Sequence, residues 1–157
     1  LEKYESILYT YLYDLSKSKC FIYIRRSEMH KIGLQYETTL TVNEQHTAKT
    51  MGSGELDVFS TPTMVALMEE AAWRCAAPAL EEGQGTVGTS MNVQHISSTP
   101  VGMKVKAKAI IVEVNGRELV FSIEAHDEKN LIGKALHTRV IIDNDKFLAK
   151  TQSKLSK

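Results

Sequence analysis

The chain has 157 residues, enough for one domain with a sizeable core. Apolar residues make up 43% of it and charged residues 24%, and Lys+Arg and Asp+Glu balance at 19 each, so nothing in the overall charge grips nucleic acid or an anionic membrane surface. No apolar run approaches the roughly 18 residues of a membrane span, and the two cysteines, Cys20 and Cys75, fit no metal or redox spacing, so a reduced, cytoplasmic setting is the simplest expectation.

Residues 1–30 form an N-terminal extension unlike the rest of the chain. They hold five of the six tyrosines, and their apolar residues keep no clean period. Two readings stand: an extra helix, or a stretch that is not normally translated. The second rests on Arg25-Arg26-Ser27-Glu28-Met29, a run that a purine-rich ribosome-binding sequence before a start codon would encode. A cleaved signal peptide fits poorly, because acidic residues and tyrosines interrupt any apolar segment.

Residues 31–150 read as the domain proper. "LQYETTLTVNEQHTAKT" alternates and is rich in threonine, which predicts a strand at about 34–49. "MGSGELDVF" is a glycine-containing loop, and a helix comes next over about 62–78, ended by "EEGQG". Four strand-like segments complete the domain: "TVGTSMNVQHIS", "KVKAKAIIVEV", "RELVFSIEAHD" and "LIGKALHTRVIID". In the second, Lys104, Lys106 and Lys108 share one face and Val105, Ala107 and Ala109 the other; in the third, Leu119, Phe121, Ile123 and Ala125 face inward. Asn115-Gly116 marks a tight hairpin between these two. The Lys-rich tail, residues 151–157 included, reads as solvated. One strand, one long helix and four more strands predict an α+β domain with an antiparallel sheet against a single helix.

The helix carries the first chemical question. Thr61 precedes Pro62, which makes Thr61 a candidate N-cap. Val65, Met68, Ala72, Cys75 and Ala76 form an apolar stripe, which Leu67 and Ala71 extend. Glu70 and Arg74, spaced i,i+4 away from the stripe, make a surface pair. Glu69 instead lies among Val65, Ala72, Trp73 and Ala76, with no basic partner on the helix. Burying a carboxylate there costs several kcal/mol unless it is paired. The plain alternative is that it sits at the stripe's edge and reaches water. The alanines at 66, 71, 72, 76 and 77 suggest close approach by another backbone or helix.

Other polar residues fall on apolar faces. Alternation puts His95 with Met91 and Val93, a position more often filled by a core histidine than by a catalyst. Gly88 inside a strand pattern suggests a bulge or close approach by a ligand. His137 and Arg139 share a face with Gly133 and Ala135. No Cys/His/Asp/Glu cluster has metal spacing, so no metal or other cofactor is expected. There is no nucleophile elbow and no phosphate-cradling glycine loop.

Three stretches, "GSGELDVFSTPTMVALMEEAA", "EGQGTVGTSMNVQHISSTPVG" and "LIGKALHTRVIID", resemble the hotdog-fold thioesterases related to fluoroacetyl-CoA thioesterase, over about residues 34–149. The resemblance implies a hotdog fold, with the sheet wrapped around one long helix, and a homodimer or higher oligomer with composite sites at the subunit interface. It implies metal-independent hydrolysis of an acyl-CoA, and the small side chains are compatible with a short acyl group. By motif position it makes Thr61, Glu69 and His95 catalytic and Gly88 and Arg139 substrate-binding. It selects the same glutamate that the helix left unexplained. Thr61 and Glu69 are eight residues apart, about 12 Å along a helix, so one helix brings both to one reacting atom only with a large bend or a long reach, which a site shared between subunits would relieve. The alternatives are a hotdog hydratase, whose residue spacing fits less well, and a non-catalytic acyl-CoA-binding protein, which has no need of a carboxylate in an apolar arc.

Overall fold

The computed structural model describes residues 9–11, 22–24 and 31–155. In the extension, β1 (Tyr9–Tyr11) and β2 (Ile22–Ile24) pair antiparallel, Tyr9 opposite Ile24. The helix considered for the first thirty residues otherwise lies outside the described residues.

The domain is a five-stranded antiparallel sheet in the order β3-β5-β6-β7-β4, packed on one long helix, α1. β3 is Gln35–Thr41, α1 Thr61–Ala76, β4 Gln84–His95, β5 Lys104–Asn115, β6 Glu118–Asp127 and β7 Leu131–Asp143. Alternation decides which faces meet. Val105, Ala107, Ala109, Leu119, Phe121, Ile123 and Ala125 are buried under the helix, while Lys104, Lys106 and Lys108 face solvent. Small residues on β5 and β6 let the sheet curl around α1, which touches all five strands. From α1 the core takes Met64, Leu67, Met68, Ala71, Ala72, Cys75 and Ala76. This is the hotdog arrangement.

Three boundaries differ from the sequence-based expectation. The first strand ends at Thr41, not near 49, because Asn43 caps a short 3-10 turn at Glu44–His46. Its side chain accepts from the Gln45 N–H, and His46 Nδ1 accepts from the Asn43 N–H. The hairpin after β5 turns on Gly116 and Arg117, with Gly116 at φ +61°. The start of the tail is a helix, α2 (Asn144–Gln152), capped by Asp143 and exposed throughout.

The start of α1 also differs, and it matters most. Ser60, not Thr61, caps the helix: its Oγ accepts from the Thr63 N–H. Phe59 before the cap and Met64 within the first turn are both fully buried, the two positions of a hydrophobic staple. Thr61 is thereby released from backbone duty.

Phe121 is fully buried at the centre of β6. Phe121→Ala is expected to cost about 3–5 kcal/mol, read as a lowered denaturation midpoint with unchanged slope. A loss below about 1 kcal/mol would mean this face of the sheet is not the core.

Candidate active site

Two polar clusters form on different parts of the chain. In the first, Thr61 at the start of α1 meets His95 at the end of β4, with Oγ1 2.8 Å from Nδ1. Phe59 stacks edge-on to the imidazole, 6.4 Å between centroids. Burial holds His95 below the usual histidine range, and the backbone of Ser97 pulls the other way. His95 Nε2 is buried and makes no hydrogen bond among the described residues. A cleft lined by Ser53, Ser60, Thr61, His95, Ser97 and Ser98 opens beside the pair.

The second cluster surrounds Glu69 in the middle of α1. Its Oε1 lies 3.6 Å from Arg139 Nη1 and 3.7 Å from His137 Nε2. Both distances exceed a direct hydrogen bond, so the carboxylate is oriented by charge while its lone pairs stay free. Its side chain is 45% exposed, against 8% for Arg139 and 1% for His137. Gly88 makes room for this: a Cβ there would stand 2.7 Å from Glu69 Oε1 and 3.0 Å from His137 Cε1. The strand bulges just beyond it, between Gly88 and Ser90, the irregularity that a glycine within a strand pattern suggests.

Arg139 is buried, yet most of its donors are matched. Nε donates to Thr86 Oγ1 and Nη2 to the Thr86 carbonyl, both at 2.9 Å, and Nη1 lies 3.2 Å from His137 Nε2. Burial pushes its pKa down and Glu69 pulls it up; a guanidinium stays charged regardless. His137 is held below its usual range, first by burial, with Arg139 adding to the shift and the Ser90 carbonyl and Glu69 opposing it.

The structure thus joins Thr61 to His95, and Glu69 to Gly88 and Arg139, but does not bring the two groups together within one chain. His137, Thr86 and Ser60 are not singled out as functional by the sequence alone. The available signal is the β7 face Gly133-Ala135-His137-Arg139, two polar side chains aimed into an otherwise apolar layer. Glu70 pairs with Arg74 at 2.8 Å, as their spacing implies. Of the expected apolar stripe, Met68, Ala72, Cys75, Ala76 and its extension Leu67 and Ala71 are buried and Val65 is half-buried, while Ala66, Trp73 and Ala77 are exposed on the side that carries Glu69. A cavity of about 920 Å³ runs along that side, lined by Trp73, Leu80, Thr86, Arg139 and Phe147 among others. Among the described residues no three His, Cys, Asp or Glu side chains stand together as a metal site, and no helix is long and apolar enough to cross a membrane.

A family model described as fluoroacetyl-CoA-specific thioesterase matches residues 42–145. The fluoroacetyl-CoA thioesterase of Streptantibioticus cattleyicolor is 43% identical over 98 residues, 62% of this chain and 70% of the relative. A solved fluoroacetyl-CoA thioesterase superposes with a TM-score of 0.73 at 36% identity, covering 78% of this chain and 96% of the other. A hot-dog-like protein from Thermanaerovibrio acidaminovorans, at 20% identity and TM-score 0.73 over 80% of this chain and 93% of its own, shares the fold.

Buried His137 and half-buried His95 both resist protonation in the folded state, whereas the unfolded chain takes up protons near the ordinary value of 6.5. Their contribution to stability is therefore full above 6.5 and is lost as pH falls through the depressed folded values. Denaturation midpoints are expected to drop as pH falls from 6.5 toward about 5, with a shallower drop in a His95→Gln/His137→Gln double variant. Equal slopes for both proteins would contradict this.

Proposed function

The chain belongs to the fluoroacetyl-CoA-specific thioesterase family, a family of thioester hydrolases, and from that premise we propose that it hydrolyses a short-chain acyl-CoA in a composite site between two subunits, in the cytoplasm. The observation that carries the reading is Glu69: a half-exposed carboxylate, aimed by Arg139 and free of hydrogen bonds within the described chain, set against the backbone of Gly88. The small acyl group is favoured by the two-carbon ester named for the relative at 43% identity.

In this reading the thioester carbonyl lies by Gly88, where a backbone N–H of the bulge stabilises the developing oxyanion. Glu69 delivers the attack by one of two routes. As nucleophile it bonds to the carbonyl carbon, the C–S bond breaks, and water then cleaves the acyl-glutamyl anhydride to restore the carboxylate. As general base it takes a proton from the water that attacks. Thr61, free of capping and hydrogen-bonded to His95, orients the reacting groups or relays a proton to the departing sulfur. Single-turnover hydrolysis in heavy-oxygen water combined with hydroxylamine trapping separates the routes: label in Glu69 or a trapped acyl-glutamyl anhydride marks the nucleophile, and the absence of both leaves the base.

A composite site is favoured by three features: the separation of Thr61–His95 from Glu69, the exposed Ala66–Glu69–Trp73 side of α1, and the position of β4 as an edge strand of 12 residues. An open edge of that length is a template for pairing with another chain.

Glu69→Gln is expected to lower thiol release from a short acyl-CoA by about a hundredfold or more while the protein remains a folded dimer. Thr61→Ala is expected to be slow as well. Mixed and reassembled, the two slow variants should regain roughly one quarter of the wild-type sites, because half the dimers then hold one intact composite site. No recovery despite confirmed heterodimers would place all catalytic groups in one subunit.

A further inference from the structure

We propose that His137, as a neutral imidazole, is a positioning residue that aims Arg139 at Glu69, and that a proton on its Nε2 disarms the site. The proposal rests on the hydrolytic reading of Glu69. Its groundwork is hydrogen-bond geometry.

His137 Nδ1 lies 2.8 Å from the Ser90 carbonyl, which can only accept, so Nδ1 carries a proton. In the neutral ring Nε2 then presents a lone pair. Arg139 Nη1, 3.2 Å away, has only protons to offer, and it donates there. Together with Thr86, which takes Nε and Nη2, this holds three corners of the guanidinium. The fork cannot rotate, and Nη1 stays 3.6 Å from Glu69. His137 therefore acts on the carboxylate through Arg139 and not by touching substrate.

The groups around the ring show why one proton matters. From α1 comes Glu69, from β7 Arg139, from β4 the Ser90 carbonyl and Gly88, and from β6 the ring of Phe121, 6.2 Å between centroids. A second proton on the ring removes the acceptor for Arg139 and sets two cations edge to edge. It also points a new N–H at Glu69 Oε1, 3.7 Å away, which would draw the carboxylate into a hydrogen bond and away from the ester. Burial and Arg139 both resist that proton, so the brace holds at neutral pH and fails on the acid side.

The bulge completes the device. Gly88 and Ser90 flank it; the first admits the carboxylate and the imidazole edge, and the second supplies the carbonyl that selects the tautomer. One irregularity in β4 thus sets both the space for Glu69 and the protonation pattern of its brace.

The test uses full-length protein, with Glu69→Gln as control and two replacements of His137. His137→Leu fills space but accepts nothing; His137→Gln can donate to Ser90 and accept from Arg139. The Leu variant is expected to lose about a hundredfold in kcat with KM within about threefold. The Gln variant should regain most of that rate, and its acid limb in kcat/KM should shift or flatten, since no imidazole remains there to titrate. Equal losses in both variants with an unchanged acid limb would mean that His137 is only packing, and no loss in either would overturn the proposal outright. Should the Leu variant fail to fold, the pH profile of the Gln variant decides alone. A second readout is independent of turnover: nitrogen-15 shifts of the His137 ring, assigned by their loss in His137→Gln. At about pH 7 they should report a protonated Nδ1 and a bare Nε2; a protonated Nε2 overturns the brace. Wild type that releases no thiol from any ester would sink the hydrolytic reading, while these shifts still judge the brace.

Discussion

A buried guanidinium facing a half-open carboxylate is the constraint on which the rest of this molecule turns. Arg139 could not be buried at 7% exposure if its N–H groups lacked partners, since an uncompensated charge costs several kcal/mol. Thr86 on the edge strand and His137 on its own strand supply neutral acceptors. Neutral partners satisfy hydrogen bonds without cancelling charge. The positive charge therefore remains to act on Glu69, and it does so at 3.6 Å, close enough to orient and too far to bind.

The sheet is arranged around that requirement. β4 and β7 pair from Gln84 opposite Asp143 to His95 opposite Gly133, and the register places Gly88 across from Arg139. A side chain at position 88 would occupy the space that Glu69 Oε1 fills. The bulge beyond Gly88 redirects the strand so that the Ser90 carbonyl meets His137. Glycine, bulge, imidazole and guanidinium are one unit, and none of them explains its neighbours without the others.

Much of this was legible in the sequence, and the reasons it stopped are physical. The alternation in β5 and β6 exposed the core face because a sheet with one wet side must alternate. The isolation of Glu69 on the helix was visible, as was the place of Gly88, Thr61 and His95 in a motif. Three things were hidden. The cap at Ser60 depends on where the chain enters α1, which the pair Thr61-Pro62 alone does not specify. The early end of β3 comes from a side-chain cap at Asn43 that competes with the ladder. The partners of Glu69 come from a distant strand, and no local period connects a helix to a strand it packs against. Two polar residues on the apolar face of β7 were the only trace.

The same logic bears on why the chain looks unfinished by itself. His95 Nε2 is buried without a partner among the described residues, a costly state for a polar atom in a protein interior. Ala66, Glu69, Trp73 and Ala77 share an exposed side of α1, small and apolar residues around the one charge that is meant to react. β4, which supports both Gly88 and His95, ends the sheet with its outer edge unpaired among the described strands. The exposed side of α1 and the open edge of β4 are costs to an isolated chain, and a second copy placed along both would relieve them. It would also supply what the distance along α1 denies to one subunit: a Thr61–His95 pair facing a Glu69 that is not its own. In the proposed composite site dimerisation would be the last step of assembly, because Thr61 and Glu69, eight residues apart on one helix, would meet around one thioester across the interface between copies.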